Sequence, residues 1–224
     1  MASIKSSELI TNEDGSIFHL HLLPEDLADD IILVGDPGRV ETIASHFQQI
    51  ELKKSNRELY TITGSYRGPR LSVISTGIGP DNIDIVINEL DALAHIDLKT
   101  KEIKAIGRTL NIVRIGTSGS VQADIPVDSF VISEKSIGCD GVLRFYANNE
   151  SVCDHPFEEA FIRHCRWTPS AARPYVVNAD PGLADRLYDE EHTIKGVTLT
   201  AVGFYGPQGR VLRLPQGNLP SEDR

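Results

Sequence analysis

Basic residues are in deficit: 22 Lys and Arg stand against 32 Asp and Glu, a formal net charge of -10. A nucleic-acid groove or an anionic membrane surface needs a clustered basic face, so neither partner is expected. Cysteine is scarce as well. Cys139, Cys153 and Cys165 are odd in number and form no CxxC pair, which fits reduced packing thiols better than a disulfide frame or zinc site. The amino terminus is polar and acidic with no apolar core, so it predicts neither a signal peptide nor a membrane span, and a cytoplasmic protein. Two nucleotide fingerprints are missing too. Neither residues 35–40 nor residues 77–82 supply G-x-G-x-x-G, and the Walker Lys-Ser/Thr is lacking. A free phosphate is thereby a better ligand than a nucleotide tail.

What the chain has is one punctuation mark used three times. Ile31-Ile32-Leu33-Val34 runs into Gly35-Asp36-Pro37-Gly38-Arg39, a buried strand feeding a glycine turn. Val40, Ile43, Ala44 and Phe47 then recur at helical spacing, so the free N–H groups of a helix start are predicted to open beside Arg39. An ordinary strand-turn-helix corner would read the same way. Residues 71–75 repeat the pattern into Thr76-Gly77-Ile78-Gly79-Pro80, ahead of a helix carrying Ile83, Val86, Ile87, Leu90 and Leu93. The third instance, Asn111-Ile112-Val113-Arg114-Ile115-Gly116-Thr117-Ser118, places an arginine inside the strand. Arginine is seldom buried unpaired, so Arg114 must face an internal carboxylate or a bound anion. Three such strand ends predict an open α/β sheet with its ligand at their carboxyl ends.

The remaining segments are read more simply. With 224 residues the chain suits one sizeable domain. Residues 17–23 alternate, with His19 and His21 on one face; residues 50–54 and 59–64 read as strands, with turns at 54–57 and 67–69. Residues 96–110, with Lys99, Lys101, Lys104 and Arg108, read as an exposed insertion. Further strands are expected at 129–133 and 175–178, helices at 156–167 and 183–188, and a central strand at 196–203. Asp140, Asp154 and His155 lack metal-ligand spacing and are read as loop residues. Gln208 and Arg210, two apart, would point the same way from an extended backbone and could read the edge of a flat heterocycle, although the segment by itself reads first as a polar hairpin tip.

Taken in order, Phe18-His19-Leu20, Gly35-Asp36-Pro37-Gly38-Arg39-Val40, Asn56-Arg57-Glu58, Ser75-Thr76-Gly77-Ile78-Gly79, Arg114-Ile115-Gly116-Thr117 and Phe204-Tyr205 with Gln208 and Arg210 resemble the nucleoside phosphorylase/nucleosidase superfamily, and within it the uridine phosphorylases. The resemblance implies a three-layer α/β/α fold around a central mixed twisted sheet. It also implies reversible phosphorolysis of uridine to uracil and ribose 1-phosphate in pyrimidine salvage, with phosphate as co-substrate and no cofactor or metal. By the same resemblance Gly35, Arg39, Arg57, Arg114 and Thr117 would bind phosphate, while His19, Phe204, Gln208 and Arg210 would bind the nucleoside. Arg39, Arg114, Gln208 and Arg210 would carry the catalysis by charge. Arg57 and His19 would reach a neighbouring subunit's site, which implies a homodimer or hexamer.

The implied layout is a flexible arm at residues 1–16, the domain at 17–215 and a polar tail at 216–224. Three departures accompany it. No Glu-Met-Glu-type ribose motif follows Arg210, residues 96–110 exceed what shorter members carry, and Pro80 stands where the family has Gly. The domain is therefore expected to be incomplete at its carboxy end. A catalytically inactive partner subunit and a hydrolytic nucleosidase are the alternative readings.

Overall fold

The strand predicted at residues 31–34 forms as β1, Asp30–Val34, and its alternation explains the layers around it. Ile31 and Leu33 join Ile74, Val86, Leu90 and Leu93 in one apolar cluster. Val34 joins Val40, Ala44, Ile62 and Val73 in another, with Ile32 against it. A strand whose side chains alternate between two apolar layers has both faces covered, which is why its sequence is apolar without interruption.

The computed structural model describes residues 3–215, in two compact units that divide between Ser118 and Gly119. In the first, β1 is followed by α1 (Pro37–Ala44), β2 (Gln49–Asn56), β3 (Leu59–Ser65), β4 (Arg70–Ser75), α2 (Pro80–His95), the short β5 (Ile96–Asp97) and β6 (Glu102–Ile103), and β7 (Asn111–Arg114). The main sheet has the order β2-β3-β4-β1-β7. β1 runs parallel to β4 and β7, and β3 runs antiparallel to β2 and β4. Val34 pairs with Ser75, and Leu33 with Arg114, so the three glycine turns emerge side by side. Pro80 is the first residue of α2, a position where its missing N–H costs nothing.

Four local expectations are corrected here. Residues 17–23 form a turn in place of an alternating strand: the His21 N–H donates to Ile17 O and the Ile17 N–H to Leu22 O. The two histidines consequently part, His19 to Glu89 and His21 to Asp14. The turn expected at 54–57 shrinks to its end, because β2 continues to Asn56 and Arg57 alone takes a left-handed φ of 55°. Residues 96–110 are more than an exposed insertion. Leu98 is buried, Lys104 donates to the carbonyls of Leu93 and Ala94 at the end of α2, and Arg108 bonds Asp29, Pro24 O and Leu27 O. Those cations serve a helix terminus and a loop. Residues 3–16 also pack on this unit, through the buried Leu9 and a bridge from Thr11 to Ile17.

The second unit contains β8 (Phe130–Gly138), α3 (His155–His164), β9 (Tyr175–Asn178), α4 (Pro181–Leu187) and β10 (Thr193–Thr200). Its sheet has the order β10-β8-β9, with β10 parallel and β9 antiparallel to β8. β10 is thus an edge strand among the described residues, and not central as residues 196–203 suggested. Asp154 and His155 are not loop residues: the Asp154 carboxylate caps α3 by accepting from the Phe157 N–H, and His155 opens the helix. Cys139 packs with Ile137, Val176 and Phe157, and burial pushes its thiol up to about 12, as befits a packing residue. The tail at 216–224 lies outside the described residues.

Candidate functional site

The carboxyl ends of β4, β1 and β7 carry the feature that singles out this edge. A Cβ placed on Gly35 would stand 3.5 Å from Nη2 of Arg39, 3.5 Å from the carbonyl oxygen of Gly77 and 3.9 Å from Nη2 of Arg114. Two guanidinium groups therefore share the small space that a hydrogen side chain leaves open. Gly116 makes way in the same manner, since a Cβ there would fall 2.4 Å from Nη1 of Arg114.

Arg39 donates to Ile115 O at 3.3 Å. Neither Arg39 nor Arg114 forms an ion pair with a described carboxylate, whereas Arg70, Arg108, Arg144 and Arg173 all do. Arg114 remains exposed as a residue, yet partial burial of its guanidinium, and secondarily the charge of Arg39, hold it below the ordinary arginine range. It stays cationic at neutral pH. Of the two partners that an arginine in this strand demands, the internal carboxylate is not found among the described residues.

The helix start contributes differently from expectation. Pro37 has no N–H, the Gly38 N–H is taken by Asp36 Oδ1 at 2.8 Å, and the Arg39 N–H by Asp36 O. Asp36 is the N-cap of α1, so these first-turn donors are already satisfied and the positive charge at this edge comes from side chains. Thr117, three residues beyond β7, is exposed and makes no hydrogen bond to the described residues.

Arg57 and His19 group around two acids. Arg57 tips the β2–β3 hairpin. Glu58 beside it accepts from Asn82 Nδ2 at 3.0 Å; its own backbone N–H, then Asn82, then the nearby Arg57 and His19 hold its carboxyl below the usual range. Gly77 lies against Glu58 and Asn82, with a φ of 70° and room for no Cβ, each being 2.6 Å from where one would stand. Asn56 Nδ2 donates to His19 O at 2.8 Å, and the His19 ring meets Glu89 at 2.7 Å.

In the second unit Gln208 and Arg210 do meet, for a reason other than extended geometry. Residues Gly206–Gln208 form a 3-10 turn with Gly209 left-handed after it, and this folds Arg210 back so that Nη1 donates to Gln208 Oε1 and to Phe204 O. The guanidinium lies 4.1 Å over the ring of Phe204, a cation–π contact. Phe204, Gln208 and Arg210 make one exposed polar and aromatic cluster.

Sequence reasoning missed two buried acids. Glu89 lies on the apolar stripe of α2 with Val86 and Leu93, an interruption visible in the spacing. Glu158 is the fully buried residue of α3, at 1% exposed, between Phe157 and Phe161, which pack on the core. Among the described residues no group of His, Cys, Asp and Glu could hold a metal, and no helix is long and apolar enough to cross a membrane.

A family model described as the phosphorylase superfamily matches residues 29–219. A uridine phosphorylase of Thermococcus kodakarensis is 32% identical over 189 residues, covering 80% of this chain and 63% of that protein. A DeoD-type purine nucleoside phosphorylase of Hahella chejuensis is 30% identical over 200 residues, covering 84% of this chain and 78% of that protein. Among solved structures, a Trypanosoma brucei nucleoside phosphorylase that shows uridine phosphorylase activity superposes with a TM-score of 0.79 at 31% identity, over 92% of this chain and 72% of the other. The chain thus spans less than two thirds of the Thermococcus relative.

Proposed function

The chain belongs to the phosphorylase superfamily, and from that membership we propose that it catalyses reversible phosphorolysis of uridine or a closely related pyrimidine nucleoside. Phosphate attacks C1′ of the ribose, the C1′–N1 bond breaks, and its electron pair leaves on the base, which takes up a proton as uracil. Ribose 1-phosphate is the other product. No cofactor is required, since phosphate is a co-substrate. The observation that carries the reading is the convergence of Arg39 and Arg114 over Gly35 with no described carboxylate to neutralise them. Two cations with no carboxylate against them among the described residues suit a dianion, which each fork can grip through two oxygens.

The other residues have roles in this reading. Gly35 lets phosphate approach the backbone, and Thr117 offers it a hydroxyl. Gln208 and Arg210 bond the uracil edge, where negative charge grows as the glycosidic bond breaks, and Phe204 packs against base or sugar. Catalysis then rests on positioned charge and orientation, with no covalent intermediate on the protein. Arg57 and His19 act in a neighbouring subunit's site, so the working form is at least a homodimer, located in the cytoplasm.

Uridine incubated with the protein should lose its absorbance only when phosphate is present, with ribose 1-phosphate appearing in equal amount. Turnover that persists without phosphate would turn the reading to a hydrolytic nucleosidase, for which Arg39 and Arg114 have no use. The similarity to the DeoD-type enzyme supports a second substrate class, purine nucleosides. Inosine in the same assay separates the two.

A further inference from the structure

Glu89 spends a buried charge on one histidine. The residue is 9% exposed and sits mid-helix among apolar neighbours, where an ionised carboxylate is costly unless fully bonded. It is bonded at both oxygens. Oε2 accepts from the backbone N–H of Leu20 at 2.7 Å and of His19 at 3.1 Å. Oε1 lies 2.9 Å from the same His19 N–H and 2.7 Å from Nδ1 of the His19 ring. Oε1 is the nearer acceptor of the His19 N–H and so helps to hold the turn, but its shortest contact is to the ring nitrogen, which the turn alone does not require.

What Oε1 adds is a choice of tautomer. An ionised carboxylate only accepts, so Nδ1 must carry the proton, and Nε2 of the neutral ring is then an acceptor. Nε2 makes no hydrogen bond to the described residues, and the side chain is 28% exposed. It borders a cleft lined by Ile10, Phe18, Asn88 and Glu89 among others, with the Phe18 ring edge-on at 4.8 Å. A partly open ring fixed at one nitrogen and unoccupied at the other is set up to receive a hydrogen bond from elsewhere.

We propose that Glu89 is a positioning residue that locks His19 in its Nδ1–H tautomer and so presents Nε2 as the acceptor for a hydroxyl on the sugar of a bound nucleoside. The ligand in this statement rests on the phosphorolysis reading; the tautomer does not.

Glu89→Gln separates the role from simple support of the turn. The amide oxygen in place of Oε2 keeps the Leu20 N–H bonded at 2.7 Å and the His19 N–H within reach at 3.1 Å, but the NH₂ then faces Nδ1 and drives the ring proton to Nε2. Two-bond ¹H–¹⁵N correlation spectra should show the Nδ1–H form for His19 in the native protein and the Nε2–H form in the variant. The KM for uridine should rise roughly 10- to 100-fold, the range seen when carboxylates that orient metal-bound histidines are lost, while the KM for phosphate holds. A native ring protonated at Nε2 overturns the proposal, and that spectrum decides the point even if the variant does not fold. A reversed tautomer with an unchanged uridine KM overturns the positioning role. If the native protein leaves uridine intact in phosphate, the phosphorolysis reading falls, and the tautomer reversal alone decides what Glu89 does.

Discussion

Arg39 and Arg114 hold their Nη2 atoms 3.5 and 3.9 Å from one point, the missing Cβ of Gly35. Like charges placed this closely repel, which after burial is the second reason that Arg114 sits below the ordinary arginine range, and a bound anion would offset that repulsion. Arg114→Gln removes that repulsion along with the anion contact. Its melting temperature without phosphate should equal or exceed that of the native protein, while its phosphate Kd rises roughly 10- to 150-fold, from about 1.5–3 kcal/mol for a charge-assisted hydrogen bond. Calorimetric titration with phosphate and a thermal melt check the two halves. A variant that loses stability and keeps its phosphate affinity would assign Arg114 to the fold.

The glycines at this edge make a sharper pair. A methyl on Gly35 meets its nearest atoms at 3.5 Å, ordinary contact, so Gly35→Ala should change stability by less than about 0.5 kcal/mol. Yet that methyl fills the space between the guanidiniums, and phosphate affinity should fall at least about tenfold, a loss of ~1.4 kcal/mol. Gly116→Ala acts at one remove. Its methyl would collide with Nη1 of Arg114 at 2.4 Å, a flexible end that swings aside, so phosphate weakens and the fold holds. Urea unfolding beside phosphate titration distinguishes these from a structural requirement for glycine.

The sheet and this cradle were legible in the sequence because each is written locally. An apolar run ending in a glycine turn specifies a buried strand and its exit, and three such exits align once β4, β1 and β7 pair in parallel. What escaped depends on distant partners. Nothing near Glu89 announces that it will bond residues 19 and 20, some seventy positions earlier, and Glu158 faces inward because Arg144 and the Val176 N–H wait there. The helix start differs for a local reason. Gly-Asp-Pro-Gly predicts free N–H groups beside Arg39, but its own aspartate is the N-cap that occupies the Gly38 N–H. Residues 17–23 look like a strand by alternation, and the bond from the His21 N–H to Ile17 O makes them a turn.

Asp36 divides its effects between stability and binding. As N-cap of α1 it bonds the Gly38 N–H, and replacing such a cap with alanine costs about 1 kcal/mol. Asp36→Ala should therefore lower stability by that amount. Asp36→Asn keeps the cap and removes a negative charge next to Gly35, so its stability should match the native protein while phosphate binds more tightly, most visibly at low ionic strength. Equal phosphate affinity for the native and Asn proteins at low salt would show that the carboxylate is too well committed to the helix to be felt by the ligand.

The buried acid of the second unit sets a pH window for stability. Glu158 accepts from Arg144 Nη2 at 3.1 Å and from the Val176 N–H at 3.2 Å, with His155 Nδ1 at 3.3 Å. Burial alone would raise its carboxyl, but the Val176 and His155 hydrogen bonds and the Arg144 charge outweigh that and hold it below the usual range. Its contribution is accordingly present above the ordinary carboxylate pKa and lost as pH falls through the lowered value. His155 moves the other way: its hydrogen bond to Glu158 raises it despite some desolvation. That contribution is complete below the ordinary histidine pKa of about 6.5 and lost as pH rises through the raised value. The two overlap on the acidic side of neutrality, where melting temperature should peak. His155→Asn should then lower the melting temperature near pH 5–6 and converge on the native curve once pH has risen past the raised His155 value. Glu158→Gln should cost about 3 kcal/mol, near the low end for breaking a buried ion pair, because Glu150 still pairs with Arg144 at 2.9 Å. It should also flatten the acid limb. Melting curves of the three proteins from pH 4 to 9 test this, and a His155→Asn deficit that grows toward alkaline pH would reverse the assigned sign.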